Sequence, residues 1–163
     1  MVRACSERGE QMMTDSYHYR ECGLDNVWLL NGYEIHDTPY GRTVSFQNPD
    51  ELDAMIAKAL TVKSSRLTGK ELRFLRLMLG MTQKALGEML GKQDQSVARW
   101  EKGGELNDAE DFLVRHIYRQ TAINKSDTYT GLVQFLNDRD RSATDDSLCF
   151  KSTEKGWDVA DVA

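Results

Sequence analysis

The sequence predicts an α+β fold, in which a small antiparallel β-rich N-terminal domain precedes a compact bundle of five helices. Short runs of β-branched and aromatic residues, separated by turn residues, occupy the region before residue 48. Repeated helix-capping patterns and apolar residues at helical spacing follow from residue 48 onward. The last residues of the chain can form a β-hairpin.

We expect four segments along the 163-residue chain. Residues 1–16 are polar and lack periodicity, which is typical of a disordered leader. Residues 17–63 form the β-rich domain and end in a helix, and residues 66–120 form most of the helical bundle. Residues 121–163 contain a further helix, followed by a hairpin or tail.

Three short extended runs in the β-rich domain predict an antiparallel meander. The sequences Asn31-Gly32 and Pro39-Tyr40-Gly41 lie between the runs and have the composition of tight turns. The runs cover residues 27–30, 33–37 and 42–47.

Capping residues predict where the helices begin. Asn48-Pro49 starts the first helix, and Thr68 and Asn107 each stand three residues before a glutamate. Thr82 caps a short helix that ends before Gly91, where the chain turns. Another short helix follows at residues 94–101, apolar spacing predicts one more from Tyr129 to Leu136, and the C-terminal hairpin is predicted from Leu148 to Val159.

The net charge of −5 conceals a basic middle. Residues 63–103 contain nine basic and four acidic residues, whereas the segments before and after each have a charge of −5. This distribution excludes a uniformly basic protein but predicts a local positive surface suited to phosphates. Composition alone is equally compatible with a solvated helical face. Because no run is apolar enough for a signal peptide or a membrane span, we expect a cytoplasmic protein without a membrane partner.

The segment from Met81 to Gly103 contains two glycines at positions where the backbone needs a small or flexible residue. Gly87 stands within a helix, where glycine costs about 1 kcal/mol relative to alanine, so the position requires a small residue beside a crossing helix. Gly91 allows a sharp turn. The segment resembles the Xre, or Cro/C1-type, helix-turn-helix of bacterial and phage repressors, and the resemblance covers residues 66–120. An unrelated helical hairpin is the alternative.

The resemblance implies that the helix at residues 94–101 enters the major groove of DNA. Asp94, Gln95 and Arg99 are its expected base-reading residues. Arginine can bond guanine O6 and N7, glutamine can bond adenine, and a carboxylate can accept from the cytosine amino group or orient the arginine. The expected contacts to the DNA backbone are Gln83, Lys92, Ser96 and Lys102.

The resemblance also assigns structural roles. Arg76 is expected to pair with Glu101, and Gln83 to brace the reading helix. The structural helix-turn-helix residues are Arg76, Gly87, Gly91, Val97, Trp100 and Glu101. Gln93 stands where a serine or threonine usually caps the reading helix, which predicts a looser turn.

The expected function is therefore sequence-specific transcription regulation, with repression of a palindromic operator by a homodimer. The layout of the chain, a β-rich region and then a helix-turn-helix, is similar to that of MqsA-type antitoxins without their zinc ligands. This similarity implies an alternative: a type II antitoxin that binds its toxin through the N-terminal domain and represses its own promoter. A protein-interaction role without DNA contact is a third hypothesis.

Neither a metal site, a cofactor nor catalysis is expected. His18, Cys22 and His36 are the only candidate zinc ligands in the N-terminal domain, and neither cysteine pair of a zinc site is present. Cys22 with either histidine is also the only formal pairing of a nucleophile and a base, and no surrounding pattern activates that cysteine.

Overall fold

A computed structural model describes residues 16–123 and 147–160. These residues divide into two compact units. We call residues 16–56 with 147–160 the β unit, and residues 57–123 the helical unit. The predicted α+β class, with a β-rich N-terminal region and a C-terminal hairpin, is confirmed. The predicted leader, apart from Ser16, and the predicted helix from Tyr129 to Leu136 lie outside the described residues.

The β unit contains two sheets. The strands are β1 (Tyr17–His18), β2 (Val27–Leu29), β3 (Tyr33–Thr38), β4 (Gly41–Phe46), β5 (Leu148–Thr153) and β6 (Gly156–Val159). One sheet has the order β1-β2-β5-β6, with β2 parallel to β5 and the other pairs antiparallel. The second sheet consists of β3 and β4, which form an antiparallel ribbon. Val27, Leu29 and Phe150 are completely buried in the core of this unit.

The predicted meander was wrong at its first pairing. Strand β2 does not pair with β3; it pairs with β1 on one side and β5 on the other. Residues 148–150 are all buried, the pattern of a strand covered on both faces. The apolar side chains of β2 therefore find their partner strand at the other end of the chain. Turn residues indicate only pairing between neighbouring strands, so they could not predict the pairing of β2 with β5.

Side-chain hydrogen bonds connect the turn after β2 to the C-terminal hairpin. The Asn31 amide nitrogen donates to the Ser152 carbonyl at 3.2 Å, and the Ser152 backbone N–H donates to the Asn31 side-chain oxygen at 2.6 Å. The indole N–H of Trp157 donates to the Gln47 carbonyl at 2.8 Å. The start and the end of the β3–β4 ribbon are thus both fixed to the four-stranded sheet.

Five helices follow the strands of the N-terminal region. They are α1 (Pro49–Val62), α2 (Gly69–Met78), α3 (Gln83–Met89), α4 (Asp94–Glu101) and α5 (Asp108–Tyr118), and a π-helical turn (Arg119–Ile123) extends α5. The capping boxes predicted at Thr68 and Asn107 are both formed, because each side chain accepts from the third helical residue and each glutamate accepts from the cap backbone. The core of the helical unit includes Leu72, Leu75, Leu86, Val97, Trp100, Leu106 and Val114.

Two ion pairs of the helical unit are almost completely buried. Lys63 pairs with Glu71 at 2.8 Å, and Arg115 pairs with Asp111 at 3.1 Å. Each of the four side chains is at most 4% exposed. We call these residues the buried charge cluster, and their formal charges sum to zero.

The cluster also binds backbone groups of the segment between α1 and α2. The Arg115 guanidinium donates to the carbonyl of Leu60 at 3.1 Å, to that of Lys63 at 2.6 Å, and to that of Ser65. The Leu67 N–H donates to an Asp111 carboxylate oxygen at 2.7 Å. These bonds satisfy backbone groups of this segment, and they hold residues 60–67 against α5.

Candidate nucleic-acid interface

Helices α3 and α4 are joined by a tight turn. Thr82 caps α3, its hydroxyl accepting from the Ala85 N–H at 3.1 Å. Gly91 has a φ of +64°, a left-handed conformation that favours glycine. Gln93 is the N-cap of α4, and its side chain makes no capping bond to any residue that the structure describes. The Asp94 carboxylate instead accepts from the Gln95 N–H at 2.9 Å, inside the first turn.

The turn passes close to α3 at Gly87. A Cβ atom at this position would lie 2.8 Å from the Lys92 carbonyl oxygen and 3.2 Å from the Gln93 carbonyl carbon. The Lys92 N–H also donates to the Gly87 carbonyl at 2.8 Å. Gly87 is therefore the residue that lets α3 and the start of α4 approach closely.

The C-terminal end of α4 is held by a buried ionic contact. The Arg76 guanidinium donates to both Glu101 carboxylate oxygens, at 2.6 Å and 3.1 Å, and to the Met81 carbonyl at 2.7 Å. The Gln83 amide donates to the same carboxylate at 2.8 Å. The Arg76 and Glu101 side chains are only 9% and 6% exposed. Glu101 thus fixes α4 to both α2 and α3.

Helix α4 has one buried and one exposed face. Val97 and Trp100 are 0% and 2% exposed and belong to the core. Asp94, Gln95 and Arg99, the predicted base-reading residues, are all exposed. The structure therefore places these three side chains together in solvent, on a helix whose opposite side is fixed.

The predicted backbone-contacting residues have different surroundings. Lys102 is exposed just after α4, and Ser96 is half-buried within the helix. Gln83 is directed to Glu101, as described above. The Lys92 ammonium group lies 3.1 Å from the Glu110 carboxylate at the start of α5.

Two glycines that sequence reasoning missed also shape this region. A Cβ at Gly69 would collide with the Trp100 carbonyl oxygen, and would lie 2.9 Å from the Glu101 carbonyl oxygen. A Cβ at Gly104 would lie 2.9 Å from the Arg99 carbonyl oxygen and 3.2 Å from the Arg99 Cγ. Both glycines allow backbone to approach the end of α4. The sequence contains a signal for Gly69 only: glycine occupies the first position of α2, although most other residues favour a helix more strongly.

Comparison with known families identifies this arrangement. Residues 72–108, from the first turn of α2 to the first residue of α5, match a helix-turn-helix family model of the Cro/C1 type. These residues form a Cro/C1-type helix-turn-helix. This domain supports a DNA-binding transcription regulator, with double-stranded DNA as the partner of the domain. The matched family is one of DNA-binding regulators rather than of enzymes. No curated protein and no solved structure is detectably similar to the chain.

The helix-turn-helix lies in the positive part of the protein. The described residues of the helical unit include 12 basic and 8 acidic side chains, a net charge of +4. Those of the β unit include four basic and nine acidic side chains, a net charge of −5. The helical unit therefore has the charge that attracts phosphates, and the β unit has the opposite charge.

The three metal-ligand candidates of the β unit have other partners. The His18 ring stacks on Trp28 with centroids 4.1 Å apart, and its Nε2 lies 2.8 Å from the Asp25 carbonyl oxygen. The His36 Nε2 lies 3.1 Å from the Ser45 hydroxyl. Burial raises the pKa of the Cys22 thiol to about 11, so this sulfur is protonated at neutral pH. Within residues 16–123 and 147–160, no group of three or more metal-ligating side chains comes together.

None of the helices in the described part of the chain combines the length and the apolar character that a membrane span requires.

Replacing Gly87 with alanine tests the close approach between the helices of the helix-turn-helix. Alanine is the better helix former by about 1 kcal/mol, but its Cβ would displace the backbone of Lys92 and Gln93. We expect the free energy of unfolding to fall by about 1–3 kcal/mol in urea denaturation. Glu88→Ala, at an exposed site of the same helix, should change it by less than about 0.5 kcal/mol. A Gly87→Ala protein as stable as the wild type would contradict this packing.

Proposed function

We propose that the protein is a transcriptional repressor that binds a palindromic operator as a homodimer, with α4 in the major groove of each half-site. The observation that supports this proposal is the exposure of Asp94, Gln95 and Arg99 on a helix whose opposite face is buried. A recognition helix needs this combination, because its base-reading side chains must extend while its axis stays fixed. Two-fold symmetry then requires half-sites about 10 bp apart, or a multiple of that spacing.

Each exposed residue of α4 has a distinct role in this proposal. Arg99 donates two bonds to guanine O6 and N7, and Gln95 exchanges two bonds with adenine. Asp94 is held at the first turn by its bond to the Gln95 N–H and accepts from a cytosine amino group. The three residues would therefore read adjacent base pairs.

The residues that contact phosphate would position the helix without reading sequence. Lys102 and Ser96 are the most direct candidates. Gln83 can serve as well, because its amide nitrogen has two hydrogens and only one is needed for Glu101. Lys92 likewise has three donors, one of which is directed to Glu110.

The roles of Arg99 and Lys102 can be separated by substitution. On a duplex that the wild type binds specifically, Arg99→Ala should cost about 1–3 kcal/mol of binding free energy and relax the preference at one base pair of each half-site. Lys102→Ala should weaken binding to all sequences by a similar factor, because its phosphate contact is sequence-independent. The measurement is titration of each variant against the specific duplex, its single-base-pair substitutions and a random duplex.

Comparison of the two variants can contradict the role of Arg99 as a base-reading residue. If Arg99→Ala reduces affinity equally for specific and random duplexes, as Lys102→Ala should, Arg99 does not read a base. Both residues are exposed, so neither substitution should change the fold and each serves as the stability control for the other.

The charge of the β unit favours a second candidate, an antitoxin that also regulates its own promoter. A net charge of −5 over the described residues of this unit suits a basic toxin, and it leaves the positive helical unit available for DNA. The test is co-expression with the product of the adjacent reading frame. A toxic neighbour that is neutralised in a stable complex would support the antitoxin, and a harmless neighbour that forms no complex would oppose it.

A further inference from the structure

We propose that the β3–β4 ribbon is a self-association surface, through which a second copy of this chain packs face to face on the first. This inference rests on the proposed homodimer and supplies its contact surface. The ribbon is a suitable candidate because each of its strands has six residues, and most of those residues are exposed. Two-stranded ribbons are only marginally stable in water unless one face is covered.

One face of the ribbon carries an apolar stripe. The register pairs Tyr33 with Phe46, Ile35 with Val44, and Asp37 with Arg42. Because side chains alternate along a strand, these three pairs project from the same face, while the intervening pairs project from the other. From the fixed end toward the tip, this face therefore changes from aromatic to aliphatic and then to charged.

Only the fixed end of this stripe is covered within the β unit. The Tyr17 ring packs against Tyr33 and Phe46, with centroid distances of 5.1 Å and 5.6 Å, and the Tyr19 ring lies 4.9 Å from Phe46. The next pair is less protected, since Ile35 is 41% exposed and Val44 is partly exposed. The aliphatic part of the stripe thus extends beyond the aromatic residues that cover its base.

The charges beside the stripe favour a second copy as the occupant. Asp37 and Arg42 are directly opposite each other at the edge of the aliphatic pair, so this face has no net charge. In a two-fold interface the same patch meets itself, and the Asp37 of one copy can pair with the Arg42 of the other. A strongly basic partner would be repelled by Arg42, which lies opposite Asp37, the only acidic residue of this face. Glu34 projects from the opposite face.

The small size of the ribbon implies a weak, concentration-dependent dimer. A stable interface buries about 800 Å² on each partner, more than one face of so short a ribbon can provide. An operator with two half-sites would increase the effective concentration of one subunit near the other and so complete the assembly. We therefore expect a dimer Kd in the micromolar range without DNA.

The test is sedimentation equilibrium of the full chain without DNA, over about 1–100 µM, a range that brackets a micromolar Kd. Ile35→Asp should raise the dimer Kd by about 100-fold, because it places an unpaired charge in the apolar centre of the interface. Thr43→Asp introduces the same charge on the opposite face and should change the Kd by less than about threefold. A wild-type chain that is monomeric at every concentration would overturn the proposal, as would equal effects of the two substitutions.

Charge exchange provides a second test that does not alter the apolar stripe. Asp37→Arg and Arg42→Asp should each raise the Kd by about tenfold, because each places like charges across the two-fold contact. The double exchange should return the Kd to within about threefold of wild type, since it restores opposite charges. This series decides the proposal even if Ile35→Asp unfolds the β unit. Failure of the double exchange to restore association would overturn it.

Binding to a duplex with a single half-site separates this inference from the proposed function. If the ribbon is the dimer surface, Ile35→Asp should bind one half-site as the wild type does while failing to associate in solution. If the wild type associates through the ribbon but binds no duplex specifically, the DNA-reading proposal fails and the ribbon proposal stands.

Discussion

Arg115→Met should lower the free energy of unfolding by about 3–5 kcal/mol, the cost of leaving a buried charge without its partner. Arg115 is 2% exposed and neutralises Asp111, which is 1% exposed. Methionine has a similar length but provides none of the donors that Leu60, Lys63 and Ser65 use. Three carbonyls and one buried carboxylate would lose bonds together, so this substitution should have a large effect on stability.

Denaturation in urea, with a matched control, would measure this loss. Arg73→Met removes an exposed arginine from α2 and should change stability by less than about 0.5 kcal/mol. Arg115→Met combined with Asp111→Leu should cost less than the sum of the two single substitutions, because each partner alone is left uncompensated. A loss of under about 1 kcal/mol for Arg115→Met would show that the cluster does not hold the helical unit together.

Glu101→Gln should also cost about 3–5 kcal/mol, because it leaves the buried Arg76 guanidinium without a counter-charge. The substitution preserves shape, so the loss would report charge and hydrogen bonding rather than packing. Since Glu101 accepts from both Arg76 and Gln83 and glutamine keeps only one acceptor oxygen, the C-terminal end of α4 should be held less firmly to α2 and α3. DNA affinity, measured where the variant is still folded, should therefore decrease as well.

A neighbouring glutamate provides the control for this second effect. Glu105→Gln removes the same charge from an exposed site just after α4 and should leave stability within about 0.5 kcal/mol of wild type. If both variants change the DNA affinity of the wild type by the same factor, the removed negative charge explains the change and the position of α4 does not. A lower affinity for Glu101→Gln alone would support the attachment of α4 through this carboxylate.

Local patterns in the sequence were sufficient to predict the helices. The boxes at Thr68 and Asn107 act over three residues, and the apolar residues of α4 repeat at the helical period, so both signals lie within one short window. The same is true of the β3–β4 turn. The helix-turn-helix was predicted from its resemblance to the Cro/C1-type motif, and Gly87 and Gly91 stand where the backbone geometry needs them.

Contacts between distant segments could not be predicted from local sequence patterns. The pairing of β2 with β5 joins the two ends of the chain, and no local signal selects that partner. The buried charge cluster was also missed, because Lys63 and Arg115 look like ordinary surface residues in the sequence and their burial depends on tertiary packing. The ion pair between Lys92 and Glu110 was missed for the same reason.

Selection of bound sequences from a pool of random duplexes is the most direct test of DNA reading by α4. The full-length wild type should enrich a palindromic sequence with half-sites about 10 bp apart, or a multiple of it. Selection with Arg99→Ala should recover the same sequence with the preference lost at one symmetric pair of positions. Recovery of no common sequence by the wild type, or of an unchanged one by Arg99→Ala, would contradict the assignment of α4 and Arg99 as the reading elements.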